Sequence, residues 1–182
     1  MLYLLLKVIW LGLPGAIADL TPPLAFRLFP RLGLPLDLKK KYKGKRIFGW
    51  EKTISWVITG LIFAHITFVL QTFLLVRSPD SIFKYIKPNM LDLPWYYGLA
   101  LGLGALTFDV VKSFFKRQRG IKPGQPWFPW DQISWIIGVV VVQSIFFYTG
   151  LGFITLSFIA GVILHLLVEM LRRFVKAEAT LF

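Results

Sequence analysis

Asp109 and Asp131 bracket a run of basic residues in the stretch FDVVKSFFKRQRGIKPGQPWFPWDQ, which extends from Phe108 to Gln132 between two apolar segments. An ionised carboxylate near the end of a hydrophobic segment is expensive, which makes Asp109 a functional candidate. On a helix, Asp109, Lys112, Ser113 and Lys116 share one face, because positions i, i+3, i+4 and i+7 align at about 3.6 residues per turn. Val110, Val111, Phe114 and Phe115 then face lipid or protein. A loop rich in proline and glycine follows and delivers Asp131 just before the next apolar segment. Magnesium is usually held by one or two carboxylates together with substrate phosphates, so Asp109 and Asp131 are the candidate metal ligands, and the amines between them suit phosphates. The chemistry this suggests is a phosphate site at a membrane surface. The competing reading is charge pairing alone, Asp109 with Lys112 or Lys116 and Asp131 with an adjacent basic residue.

A second basic stretch, PLDLKKKYKGKRIFGWEKTISW from Pro35 to Trp56, has the charge to hold a triphosphate, with Arg46 suited to bidentate contact and Lys52 close behind. Gly44 and Gly49 allow the backbone to turn closely around such a ligand. From charge alone the simpler reading is favoured: a positive anchor touching anionic headgroups. Asp19 lies in an apolar segment after Pro14 and before Pro22-Pro23. It suits either a kinked helix lining a polar cavity or an interfacial carboxylate that reaches water or pairs with Arg27. His65 stands alone and is expected to pack. His165 and Glu169, four residues apart, are expected to form part of a structural ion cluster with Arg172 and Arg173. Trp95, Tyr96, Tyr97, Trp127, Trp130 and Trp135 fit interfacial belts.

These residues must be positioned by a membrane protein. The chain has 182 residues, of which 56% are hydrophobic, too little polar surface to cover a globular core in water. The sequence predicts an all-α fold with five membrane-spanning helices, over about Leu2–Leu24, Ser55–Val76, Leu93–Phe115, Ile133–Thr149 and Phe153–Phe174, each near the ~20 residues that cross a bilayer. One membrane domain covers residues 1–182, with a basic cytoplasmic loop over 25–54 and a second cytoplasmic loop over 116–132. The net charge is +12, and its basic residues fall mostly in those two loops and at Arg172, Arg173 and Lys176, against Arg77, Lys84 and Lys87 on the other side. The N-terminus is therefore expected outside and the C-terminus in the cytoplasm. Ala16-Ile17-Ala18 resembles a signal-peptidase site, but no basic residue precedes the apolar run, so the segment is expected to be retained. The absence of cysteine excludes disulfides and thiolate chemistry.

No Walker loop, nucleophile elbow, HExxH or dinucleotide fingerprint is present, nor the DGxxAR signature of CDP-alcohol phosphotransferases. The segment carrying Asp109, Lys112, Ser113, Lys116-Arg117, Gly120, Lys122, Gly124-Gln125-Pro126 and Asp131-Gln132 instead resembles the cytoplasmic signature of the CDP-archaeol synthases, relatives of the phosphatidate cytidylyltransferases. Pro35, Asp37, Lys40, Gly44, Arg46-Ile47-Phe48-Gly49 and Lys52-Thr53 are similar to that family's other motif, and Leu13-Pro14 with Ala18 and Pro22 to its first span. The chain departs from the pattern at Phe108, where glycine is usual, at Lys43 and Trp50, where acids are usual, and at Asp19, where asparagine is usual.

The resemblance implies a CTP-dependent cytidylyltransferase that activates a membrane lipid phosphate, an archaeal-type ether lipid phosphate or phosphatidate, and releases pyrophosphate. It implies Asp109, Lys116 and Asp131 as catalytic residues, with Mg2+ on Asp109 and Asp131. Asp19, Arg46, Lys52, Lys112, Ser113, Arg117, Lys122 and Gln125 would bind CTP or lipid. The expected place is the cell membrane, multi-pass, with the active site facing the cytoplasm. The partners are CTP, the lipid phosphate and the bilayer, with no nucleic acid, and a homodimer paired through lipid-facing aromatics is compatible with the composition. The departures motivate an alternative, a catalytically silent homologue that binds or transports lipid.

Overall fold

The computed structural model describes residues 2–21, 25, 28–78, 90–147 and 150–179, apart from the side chains of Leu2, Pro30, Glu169 and residues 171–179. Five α-helices carry the chain: α1 (Leu2–Leu20), α2 (Ile54–Arg77), α3 (Tyr97–Gln118), α4 (Trp130–Phe146) and α5 (Leu151–Ala179). By length and composition α1, α2, α3 and α5 can each cross a membrane, while α4 is a shorter apolar helix of 17 residues. The protein is an all-helical, multi-pass membrane protein. Lys84 and Lys87, Arg27, and the side chains of Glu169, Arg172, Arg173 and Lys176 lie outside the described residues, as does the part of the first expected span beyond Thr21 that holds Pro22.

The bundle is built around α1, which packs against each of the other four helices, while α3 is clamped between α2 and α4. Apolar residues are distributed for two solvents. Leu11, Ala18, Ala64, Leu101, Ala105 and Leu106 are fully buried, whereas Ile62, Ile66, Val69, Leu70, Phe73 and Leu74 on α2 are exposed. In lipid such an outward apolar face carries no penalty. Close helix approach is set by small residues, as is common in membranes. A Cβ added at Gly104 would stand 2.7 Å from the Gly138 carbonyl oxygen, so α3 and α4 meet backbone to backbone.

Two expected interfacial aromatics are core residues instead. Tyr97 is fully buried, against Phe68 and Phe146, and Trp135 is 6% exposed. Helix rotation, fixed by packing, turned them inward. Trp95, Tyr96 and Trp130 are exposed, as a belt requires.

The basic loop before α2 has structure that its composition did not suggest. Lys41–Tyr42 (β1) and Lys45–Arg46 (β2) pair antiparallel, with Lys43 and Gly44 turning at positive φ. Beyond the hairpin the chain folds back: Leu36 N donates to Lys52 O, and Ile54 N to Leu34 O, at 2.8 and 3.0 Å. Thr53 then caps α2 by accepting from Trp56 N at 3.2 Å. This return places Lys52 at the mouth of the bundle.

Candidate functional site

The site forms where the N-termini of α2 and α4 meet the last turns of α3. Asp109 is 3% exposed, and the ammonium groups of Lys52 and Lys112 both contact its carboxylate. Lys112 also reaches Asp131 Oδ1 at 3.2 Å, and Lys116 binds the same carboxylate at 3.0 and 2.8 Å. Acid and base therefore alternate from Lys52 through Asp109, Lys112 and Asp131 to Lys116. Asp19 on α1 adds a further negative charge acting on Lys112. The helical spacing put Asp109, Lys112 and Lys116 on one face, and the long side chains reach back over the preceding turns.

Local structure explains each placement. Asp131 sits in the first turn of α4, where the helix end favours a negative charge, and its Oδ2 accepts from Trp127 N at 2.6 Å. The helix α3 ends through Gly120 at φ +79°, the left-handed conformation that closes many helices. Lys45 Nζ donates to Gln118 O at 2.5 Å, which fastens the hairpin to that end. Lys52 Nζ lies 4.0 Å above the Trp56 ring, an attraction that steadies the ammonium where it meets Asp109.

Other expected site residues stand apart from this chain of charges. Arg46 is bound to Asp37, through Nη2–Oδ1 at 2.5 Å and Nε–Oδ2 at 3.1 Å. Asp37 is buried and also accepts from the backbone amides of Lys39, Phe48 and Gly49. Burial would raise its carboxyl, but Arg46 and those amides outweigh it and hold the group at about 2. Ser113 Oγ donates to Asp109 O within its own helix. Gln125 Oε1 accepts from Lys122 N, so this pair shapes an exposed turn. Arg117 is buried next to Lys116 on α3, and its Nε and Nη1 donate to nothing among the described residues.

Sequence reasoning overlooked Asp37 as the organiser of the first loop. The aspartate two residues before Lys39 carries the signal of an Asx turn, although its ties to Phe48 and Gly49 depend on the hairpin. Glu51 was also overlooked, and its charge acts on Arg117.

Three of the departures from the family pattern, Phe108, Lys43 and Trp50, lie off the charge chain, whereas the fourth, Asp19, acts on Lys112. Phe108 borders an outward groove with Leu103, Thr107 and Val141, so it does not crowd Asp109. Lys43 is exposed at the hairpin turn over the Tyr42 ring, and Trp50 is 58% exposed.

Among the described residues, no three His, Cys, Asp or Glu side chains cluster to form a protein-only metal cage. Asp109 and Asp131 nevertheless share one ammonium, that of Lys112, so a single cation can face both. Two carboxylates completed by substrate phosphates is a donor set that magnesium accepts, so the residues fit the ion.

A family model described as CarS-like, CDP-archaeol synthase, matches residues 1–176. The chain is similar to the CDP-archaeol synthase of Methanococcus maripaludis, with 29% identity over 168 residues that cover 91% of this chain and 89% of the relative. With that of Methanopyrus kandleri it shares 31% identity, covering 83% and 82%. With that of Methanospirillum hungatei it shares 30% identity over 63% of this chain, spanning 65% of the relative's length. A solved structure described as "Structural insight into an intramembrane enzyme for archaeal membrane lipids biosynthesis" superposes with a TM-score of 0.72 and 27% identity, covering 91% of this chain and 94% of the other.

Proposed function

We propose a CTP-dependent lipid cytidylyltransferase from this premise: the chain belongs to the CDP-archaeol synthase family. The substrate lipid is a phosphate monoester carried in the membrane, of the archaeal ether type or phosphatidate. A lipid phosphate oxygen attacks the α-phosphorus of CTP, the bond from that phosphorus to its bridging oxygen breaks, and pyrophosphate leaves. The observation that carries the reading is the alternating chain of Lys52, Asp109, Lys112, Asp131 and Lys116. Buried charges of this density are costly, and ammonium groups that can turn from carboxylate to phosphate give them a use.

Lys52, Lys112 and Lys116 neutralise phosphate oxygens and align the two phosphates. Catalysis of this type depends mostly on positioning and charge neutralisation. Asp109 and Asp131 would hold magnesium, which would supply further neutralisation of phosphate charge. Asp19 biases the Lys112 ammonium from the α1 side. Arg46, Lys122 and Gln125 shape the loops around the nucleotide. The lipid tails stay among the helices and the site faces the cytoplasm, a reading supported by the excess of basic residues in the two loops. The loops over 25–54 and 116–132 are then its cytoplasmic roof, in the cell membrane.

Equilibrium binding separates this reading from a silent lipid-binding homologue. Magnesium-dependent CTP binding by the detergent-solubilised protein supports the enzyme. Lipid-phosphate binding with no CTP binding supports the homologue.

A further inference from the structure

Arg117 is 7% exposed, yet two of its guanidinium nitrogens have no hydrogen-bond partner among the described residues. Leaving charged donors unpaired out of water is expensive, so the group calls for a ligand. It lies where the two loops converge. A Cβ added at Gly49 would stand 3.6 Å from Arg117 Cδ, 3.8 Å from its Nε and 3.8 Å from Pro123 Cγ. A Cβ at Gly124 would stand 4.0 Å from Glu51 Oε1, so the second loop meets the first here too. Glu51 and Asp131 both act electrostatically on Arg117.

A phosphate suits this place poorly. The Glu51 carboxylate repels it, and the Lys52, Lys112 and Lys116 ammonium groups already supply phosphate contacts. What Arg117 and Glu51 offer together is a pair of donors beside an acceptor. Cytosine has the matching edge: O2 and N3 accept, and the N4 amino group donates. Carboxylates accepting from cytosine N4 and arginine donating to paired base acceptors are established pairings. Uracil presents the reverse at two of these atoms, with N3–H a donor and O4 an acceptor. Gly49 and Gly124 both hold positive φ, +96° and +79°, and carry no side chain that would block a flat ring.

Resting on the CTP reading above, we infer that Arg117 and Glu51 read the cytosine base, Arg117 donating to O2 and N3 and Glu51 accepting from the N4 amino group. The ring enters between the Gly49–Glu51 and Pro123–Gly124 segments, which part to admit it. Arg117 is thereby a specificity residue rather than a phosphate clamp.

The test measures equilibrium binding of CTP and UTP, with magnesium, to the full chain and to Glu51→Gln and Arg117→Lys, each checked by thermal melting. The wild type should prefer CTP by about tenfold or more, the discrimination one such contact gives. Glu51→Gln should lose most of that preference, because an amide can donate to uracil O4 as readily as it accepts from cytosine N4. Arg117→Lys should weaken CTP more than UTP. An unchanged CTP:UTP ratio in a folded Glu51→Gln protein overturns the assignment, even if Arg117→Lys fails to fold. Equal weakening of both nucleotides in Arg117→Lys also overturns it, since that marks a phosphate or structural role. A folded wild type that binds neither nucleotide contradicts the CTP reading itself and this inference with it.

Discussion

Lys52 contacts Asp109 across 57 residues of chain, joining the loop before α2 to the buried face of α3. This tie makes the first loop part of the site rather than a membrane anchor beside it. Lys112 binds the same carboxylate from its own helix, so Asp109 is held by two ammonium groups from different elements. Under the proposed function the arrangement is a phosphate site at rest, with cations held on carboxylates until phosphate oxygens arrive.

Lys116 should matter through substrate phosphate. Lys116→Ala is expected to raise the apparent KM for CTP or lipid, or to lower kcat, with a total loss in kcat/KM of about 10- to 100-fold, as expected for a charged hydrogen bond. Steady-state kinetics with each substrate varied in turn checks this. If neither parameter moves, the phosphate role belongs to another residue.

Asp37 should matter for stability. Its carboxyl is held at about 2 in the fold, against about 3.9 when unperturbed. A depressed carboxyl stabilises the fold fully above its unfolded value and loses that effect as pH falls through the folded one. Asp37→Asn should lower stability by roughly 2–3 kcal/mol near neutrality. The gap between wild-type and variant melting temperatures should shrink as the pH drops below about 4. A gap that is constant with pH contradicts the charged role of Asp37.

Gly138 should tolerate no side chain. Even a Cβ there collides with the Gly104 carbonyl, and overpacking of this kind costs about 1–3 kcal/mol or more. Gly138→Val should melt well below the wild type in detergent. Gly152→Ala, where a Cβ meets nothing within 4 Å, serves as the neutral comparison. Equal melting of the two variants contradicts the close α3–α4 packing.

Because the chain has no cysteine, single substitutions report sidedness cleanly. Lys43→Cys and Lys122→Cys should react with a membrane-impermeant thiol reagent from the cytoplasmic side, and Leu91→Cys from the opposite side. Labelling of Lys43→Cys and Lys122→Cys from opposite faces contradicts the five-span topology.

What was legible in the sequence was local. The spacing of Asp109, Lys112 and Lys116 was enough to put them on one face, because helical period is a property of the nearby chain. Long apolar runs marked α1, α2, α3 and α5, and the turn chemistry of the Gly120–Pro129 loop announced the arrival of Asp131. The pairing of Arg46 was not legible: it depends on a two-residue turn at Lys43 and Gly44 that swings β2 back towards Asp37. The Lys52–Asp109 contact depends on how α2 docks on α3. The inward rotation of Tyr97 and Trp135 likewise follows from helix packing, which composition alone does not fix. Arg117 looked like one more cation in a basic run. Both it and Lys116 are buried, but Lys116 binds Asp131 while Arg117 Nε and Nη1 have no hydrogen-bond partner among the described residues.

The most direct measurement of the central claim follows label from radiolabelled CTP into the organic phase, using purified protein, magnesium and a panel of ether- and ester-linked lipid phosphates. The account predicts label in the lipid product, lost on chelation with EDTA. In an Asp109→Asn protein that still inserts and folds, transfer should fall by about 100-fold or more, as when a charge-stabilising group is removed from an active site. No transfer to any lipid in the panel by folded wild-type protein, or wild-type transfer by Asp109→Asn, contradicts it.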